Sequence, residues 1–412
     1  MALDPLAQIL IALVLMLAAA KLGGAAAERW GQPAVLGELV AGILLGNLGL
    51  AGISWVQPIA SNPAIDILAQ LGAVVLLFEV GLESTVRDVL KVGGRSFAVA
   101  VLGVVTPWVL GWGVGVWLLP DRSVYVHAFL GAILTATSVG ITARVLKDLG
   151  RAQSAEARII LGAAVIDDVL GLVILAVITS VIAAAGAGTE LSYGELALVL
   201  TKGLLFLFGA LAAGVVLSPR LFRLTGRLPG QGVLLTTALV FCFLLAYLAS
   251  VVGLAPIVGA YAAGLVIEKA HYANFADRGE HRLEELVRPI GTFLVPVFFV
   301  LMGMRVELQT FAHTEVLGLA ALLTIVAILG KQACALGGFG RGLNPLAIGI
   351  GMIPRGEVGL IFANLGLGLM LYGERIVDQR IYSAVVIMVV LTTLVTPPLL
   401  TWSFARTTRA KG

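Results

Sequence analysis

Gly162-Ala163-Ala164-Val165-Ile166-Asp167-Asp168-Val169-Leu170-Gly171-Leu172 places two adjacent acids inside an apolar run, 159–184, that holds no other ionisable residue. The hydrocarbon core of a bilayer takes about 20 helical residues, so the run is long enough to cross it and the acids fall toward its middle. A carboxylate at that depth costs about 2.5 to 3.5 kcal/mol on insertion scales and is kept only where a bundle interior, a partner charge or a bound cation offsets it. A single such acid is readily explained as a hydrogen-bonding group between helices. Two in succession favour an ion or proton site.

The rest of the composition agrees with a membrane setting. Of 412 residues, 59% are hydrophobic and 12% charged, whereas a soluble domain carries about 25% charged residues. The expected fold class is therefore an all-α polytopic membrane protein. A net charge of +3 spread along the chain gives no footprint for nucleic acid. Cys242 and Cys334 both lie in apolar runs, where a thiol is a small packing residue, and they point to neither a disulfide framework nor a metal site. The first apolar stretch follows Asp4 and lacks both a basic leader and an A-x-A cleavage pattern, so it reads as a retained helix.

Apolar runs bounded by charged or Gly/Pro-rich loops give thirteen expected spans: 5–20, 33–50, 64–81, 97–118, 128–145, 159–184, 196–217, 234–251, 255–267, 290–304, 316–336, 345–370 and 384–404. Of the 27 Lys and Arg residues, 20 fall in one set of alternate loops, four (Arg122, Arg305, Arg375 and Arg380) in the other, and Lys202, Lys331 and Arg355 within spans. That asymmetry predicts an N-terminus outside and a C-terminus in the cytoplasm.

The two halves resemble each other at a constant offset. Val35-Leu36-Gly37-Glu38-Leu39-Val40-Ala41-Gly42 aligns with Ile257-Val258-Gly259-Ala260-Tyr261-Ala262-Ala263-Gly264, and Gly81 aligns with Gly303 at the same displacement of 222. The offset pairs the second span with the ninth and the third with the tenth. Spans seven apart run in opposite directions, so an inverted-topology repeat is expected, as in many secondary transporters.

Carried forward, the repeat pairs the fifth span with the twelfth. Both are interrupted by polar sequence: Thr135-Ala136-Thr137-Ser138-Val139-Gly140 in one, Ile353-Pro354-Arg355-Gly356-Glu357-Val358-Gly359 in the other. Pro354 removes a backbone donor, glycines relax the helix, and hydroxyls can satisfy freed carbonyls. Two crossing discontinuous helices at repeat-related positions mark a midplane site. An ordinary proline kink with Ser/Thr back-bonding ranks second. Lys331 is the cation buried well inside the eleventh span and needs counter-charge, for which an ion pair with Asp167 is expected in preference to snorkelling. Arg355 and Glu357 are assigned to compensating the half-helix ends. Glu38 and Glu79 are left open between local hydrogen bonding, a cavity lining and a helix interface. The charged segment 269–288, with His271 and His281, reads as a solvated loop or interfacial helix before it reads as a pH sensor.

Taken together, these motifs resemble the bacterial sodium/proton antiporters of the cation/proton antiporter superfamily, NapA-type. The residues that carry the likeness are Thr137 to Leu146, Ile160 to Leu172, Ala327 to Lys331 and Pro354 to Ile361. The resemblance implies a homodimer in the bacterial cytoplasmic (inner) membrane. Its dimerisation helices would be 1–94 and 231–310, its ion-transport core 95–190 and 311–412, and its linker helix 191–230. It implies cation and proton binding at Asp168, an ion pair of Asp167 with Lys331, and a Na+ site at Asp168 with Thr137, Ser138 and Asp167 as further ligands. It also implies electrogenic exchange of two protons for one sodium, with Na+ (alternatively Li+ or K+) and H+ as cargo and no cofactor. Glu79 departs from the apolar residue expected before Val80-Gly81-Leu82-Glu83.

Membrane lipid is an expected partner; nucleic acid is not, and no nucleotide-binding domain is expected in this chain. The nearest rival is a potassium/proton antiporter or a glutathione-gated potassium efflux system of the same fold, which typically has Gln before a single acid. A sodium-coupled organic-anion symporter shares the inverted architecture. An intramembrane aspartyl protease needs two acids that face each other, whereas neighbours on one helix diverge by about 100°. A transporter rather than an enzyme is therefore expected.

Overall fold

The computed structural model of the chain describes all residues except 1–3, 83–85, 188–192, 230–231, 253, 268–281, 307, 310–313, 341, 372 and 410–412. Its principal α-helices, in order, are α1 (Pro5–Arg29), α2 (Ala34–Gly46), α3 (Pro63–Leu82), α4 (Val86–Leu118), α5 (Val124–Thr135), α6 (Val139–Asp148), α7 (Ala155–Ala187) and α8 (Tyr193–Thr225). There follow α9 (Val233–Val251), α10 (Pro256–Val266), α11 (Leu283–Met304), α12 (Thr314–Gln332), α13 (Pro345–Gly351), α14 (Glu357–Gly368) and α15 (Gln379–Arg409). A two-residue antiparallel pair, Met370–Leu371 with Glu374–Arg375, closes the turn after α14.

Among the described residues, nine stretches are long and apolar enough to cross a membrane, and three shorter apolar helices, Ala34–Gly46, Pro256–Val266 and Val358–Gly368, accompany them. The apolar run read as 128–145 extends in both directions, to Val124 and Asp148, and both it and the one read as 345–370 are split. His271 and His281 lie outside the described residues, as do the side chains of Lys202 and Glu357.

The chain forms two compact units. The first comprises Met1–Val89, Leu146–Gln153 and Leu204–Glu307, and the second Leu90–Val145, Ser154–Gly203 and Leu308–Gly412. Helix α8, read from sequence as a separate linker, contributes residues to each, and the segment Leu146–Gln153 belongs with the first unit rather than with the stretch 95–190 around it.

Within the first unit, α2, α3, α10 and α11 meet through bare backbone. A methyl at Gly42 would strike the Val300 carbonyl and the Cα of Gly303, and one at Gly303 would strike Leu39 and Gly42. The same apposition occurs between Gly81, which faces the Tyr261 carbonyl and Gly264, and Gly264, which faces Phe78 and Gly81. Lipid tails are as apolar as leucine, so helices in a bilayer gain little from hydrophobic exclusion, and small residues that admit close approach supply the attraction by packing. Gly37 against the Gly23 carbonyl and Gly259 against that of Leu245 extend the pattern to α1 and α9.

The second unit has a continuous apolar core. Phe129, Leu130 and Ile133 of α5, Ile178 of α7, Leu319 and Leu323 of α12, Phe362 of α14, and Ile381 and Val385 of α15 are all buried in one cluster. Two of the helices that frame it are interrupted. Helix α5 ends at Thr135 and α6 begins at Val139; α13 ends at Gly351 and α14 begins at Glu357. Asn344 starts α13, accepting the Ala347 amide at 3.1 Å while its amide nitrogen donates to the carbonyl and hydroxyl of Ser403.

Candidate functional site

An interrupted helix exposes amides at one end and carbonyls at the other, and in an apolar interior each must find a partner. The residues 136–138 and 352–356 solve this together. The Ser138 amide donates to the Pro354 carbonyl at 2.8 Å, which joins the two breaks directly. Proline at 354 has no amide to leave unpaired.

The carbonyl ends are met by side chains. Lys331 Nζ donates to the Thr135 carbonyl at 2.8 Å, and Arg355 Nη2 to that of Leu134 at 2.9 Å, so two cations sit at the C-terminal end of α5. Arg355 Nη1 donates to the Met352 and Ile353 carbonyls at 3.2 and 2.8 Å, and the Thr142 hydroxyl to the Gly351 carbonyl at 2.6 Å, which covers the end of α13. Thr393 of α15 donates to the Arg355 carbonyl at 2.6 Å. A helix C-terminus carries about half a negative charge, and cations belong there.

Asp167 completes the cluster. Its Oδ1 lies 3.2 Å from Lys331 Nζ, and the side chains of the pair are 2% and 0% exposed. An ion pair so far from water is held only where geometry and further hydrogen bonds offset desolvation; here the ammonium has the Thr135 carbonyl as a second acceptor. The Thr137 hydroxyl is buried close to Asp167 but completes no hydrogen bond of regular geometry. Arg355 is wholly buried and contributes a second positive charge to the surroundings of Asp167.

Asp168 follows on α7 and is turned about 100° from Asp167. It is half-buried, as is Ser138, while Thr137 and Asp167 are buried. The structure thus brings Asp167, Lys331, Arg355 and Thr137 together, and leaves Asp168 as the more accessible of the two acids. Glu357 is the first residue of α14, at the amide end of the second break.

Two charged residues of the first unit gain an explanation that sequence did not offer. Glu79, 5% exposed on α3, forms an ion pair with Lys147 at the end of α6, and its carboxylate lies against Gly291. The neighbouring Asp148 accepts the Val35 amide at 3.2 Å, in the first turn of α2, where a carboxylate is favoured. Nothing local in the sequence links residues 79 and 147. The hydroxyls of Thr142 and Thr393 were also missed as donors; the only trace of them is that each interrupts an apolar run.

The sequence profile for the sodium/hydrogen exchanger, transmembrane family, matches residues 11–406. The chain belongs to that family. Among curated relatives, it is similar to the high-affinity Na(+)/H(+) antiporter NhaS3 of Synechocystis, 37% identical over 95% of this chain and 89% of that one. It is also similar to the Na(+)/H(+)-K(+) antiporter GerN of Bacillus cereus, 34% identical over 97% of each. Among solved structures it resembles the sodium proton antiporter MjNhaP1 of Methanocaldococcus jannaschii, with TM-score 0.67, 16% identity and coverage of 99% of this chain and 98% of that one. At that identity the likeness is one of fold. Members of this family are secondary cation/proton antiporters of the membrane, of the cation/proton antiporter superfamily.

Proposed function

We propose that this chain exchanges Na+ for protons by competition at the acid pair, with Asp168 as the principal ligand and Asp167 held by Lys331. The observation that carries the reading is the buried Lys331 and Asp167 pair at the carbonyl end of an interrupted helix, with a second, half-buried acid next in sequence. Asp168 is the second carboxylate of the cluster and the more accessible of the two, the acid at which a hard cation and a proton would compete. Carboxylate, hydroxyl and carbonyl oxygens suit such a cation, so Thr137 and Ser138 are the proposed further Na+ ligands, with Glu357 and Arg355 stabilising the break around them.

Loading one ion evicts the other, and movement of the second unit's helices as an ion-transport core, by rocking or as an elevator, then exposes the acids to the opposite side. The first unit would be the dimerisation domain of a homodimer in the inner membrane, with the N-terminus outside and the C-terminus in the cytoplasm. The reciprocal glycine pairs support an inverted repeat: Gly42 on Gly303 and Gly264 on Gly81 are the same pair after the offset of 222 is applied. Two protons per Na+ would make transport electrogenic, so that a membrane potential adds about 2.3 kcal/mol per 100 mV.

The test is Na+-dependent dissipation of a pH gradient in proteoliposomes, with and without a voltage clamp by potassium and valinomycin. Exchange should depend on Asp168, and the Na+ concentration for half-maximal rate should rise as pH falls, because protons occupy the same oxygens. An Asp168→Asn variant that exchanges normally would sink the site, whereas indifference to voltage would remove only the electrogenic step. The GerN relative's name includes K+, so the assay repeated with K+ or Li+ decides between sodium and potassium as cargo.

A further inference from the structure

Helix α4 borders the charged cluster from a side that the acid pair does not use. Val99, Gly103 and Pro107 stand four residues apart and so share one face of α4. That face lies against α12 and the helical turn Cys334–Gly337 that follows it: a methyl on Gly337 would strike Val99, and one on Gly330 would strike Pro107. Between them, a methyl on Gly103 would come within 2.8 Å of Cys334 Sγ and 3.3 Å of Lys331 Nζ. The wholly buried ammonium therefore rests on bare backbone of α4. All of these residues belong to the second unit.

Pro107 stands inside α4. Proline has no amide, so the carbonyl four residues back, that of Gly103, loses its helical donor, and in an apolar interior it needs another. One turn earlier, the Val99 carbonyl accepts the Cys334 thiol at 3.4 Å, so side chains from the α12 side do reach carbonyls on this face. An ammonium has three hydrogens; the Thr135 carbonyl and Asp167 Oδ1 take two of those of Lys331, at 2.8 and 3.2 Å. We propose that Gly103 is a positioning residue for Lys331: its missing side chain admits the ammonium to α4, and its carbonyl, freed by Pro107, is the acceptor to which the ammonium turns when the pair with Asp167 opens. The inference rests on the acid-pair reading above. A buried cation that lost Asp167 with nothing in its place would carry the full cost of an unpaired charge. The Gly103 carbonyl reduces that cost, so it governs the rate of the exchange step and not the affinity for Na+. A proline that only shapes α4 would govern neither.

The experiment compares wild type, Pro107→Ala, Gly103→Ala, Gly103→Ala with Cys334→Ala, and Asp168→Asn, as full chains in proteoliposomes for Na+-dependent exchange and in detergent for thermal melts. Alanine at 107 returns an amide to the Gly103 carbonyl, so Pro107→Ala should melt no lower than wild type. Its maximal exchange rate should nevertheless fall about ten-fold, the worth of one hydrogen bond to a charged group, with the Na+ concentration for half-maximal rate little changed. Gly103→Ala should lose both stability and rate. Adding Cys334→Ala removes the nearer obstruction, which should restore the melting temperature and leave the rate low, because the methyl still stands at the ammonium. A wild-type rate in Pro107→Ala would overturn the inference, as would a rate that recovers together with the melting temperature in the double variant. Full activity of Pro107→Ala beside an inactive Asp168→Asn would overturn this inference alone, and full activity of both would overturn the acid-pair reading with it. Should Pro107→Ala fail to fold, the comparison of Gly103→Ala with its double variant decides.

Discussion

Two sets of helix crossings, one in each compact unit, are held by opposite means. In the first, Gly42 on Gly303 and Gly81 on Gly264 bring backbones into contact with nothing between them. In the second, the crossing at residues 136–138 and 352–356 is joined by Lys331, Arg355 and Asp167, full charges placed on half-helix ends. Shape gives a contact with one state, since a glycine crossing has no proton or ion to exchange. Charge gives a contact whose energy depends on what else is bound, because each unit of charge gained or lost is felt strongly in an interior of low dielectric. The proposed transport chemistry belongs with the second kind.

That contrast can be broken most severely at Asp168. Asp168→Asn keeps the volume and removes the charge, so exchange in proteoliposomes should fall to the level of empty liposomes while the thermal melt stays close to wild type. Retained exchange would mean that charge in the second unit is architecture only, as glycine is in the first.

Next in size is Lys331→Met. It removes the donor to the Thr135 carbonyl and strands Asp167 without counter-charge, and breaking a buried pair in this way costs about 3 to 5 kcal/mol. Adding Asp167→Asn to that variant should restore part of the loss, measured by melting temperature in detergent. Single and double variants of equal stability would show that the pair is not the interaction that holds the end of α5.

The glycine crossings sharpen the other half of the comparison. Gly42→Ala or Gly264→Ala should each cost about 1 to 3 kcal/mol by overpacking, and the two costs should agree, since the proposed repeat makes the crossings equivalent. A large cost at one and none at the other would dissolve the equivalence.

Sequence made the charged half of this architecture more legible than the shaped half. Two acids and a lysine in apolar runs stand out because burial penalises them wherever they are, and Pro354 and the hydroxyls around Thr137 mark the breaks because proline and hydroxyls change backbone bonding locally. The expected pairing of Lys331 with Asp167 needed only complementary sign. The offset of 222 was visible, but a periodicity cannot say that Gly42 would face Gly303 rather than its own counterpart Gly264. Nor did local sequence tell that Arg355 would reach from one break to the Leu134 carbonyl at the other, because that contact joins positions 221 residues apart.

The smallest predicted effect comes from the second lysine and acid pair, Lys147 with Glu79, which sits in the glycine-packed unit and so tests whether charge there behaves as charge does around Lys331. The side chain of Lys147 is 31% exposed and that of Glu79 is 6% exposed. A lysine that loses its partner can turn its ammonium to water along a flexible stem, whereas a buried carboxylate that loses its partner cannot move away from Gly291. Glu79→Leu should therefore be nearly neutral, and Lys147→Met should cost about 1 kcal/mol or somewhat more, between exposed pairs and buried ones. The double variant should recover most of that cost. Equal penalties for the two single variants would mean that both ends of the pair are as fixed as Lys331 and Asp167, and the contrast between the glycine crossings and the charged crossing would fail at α3.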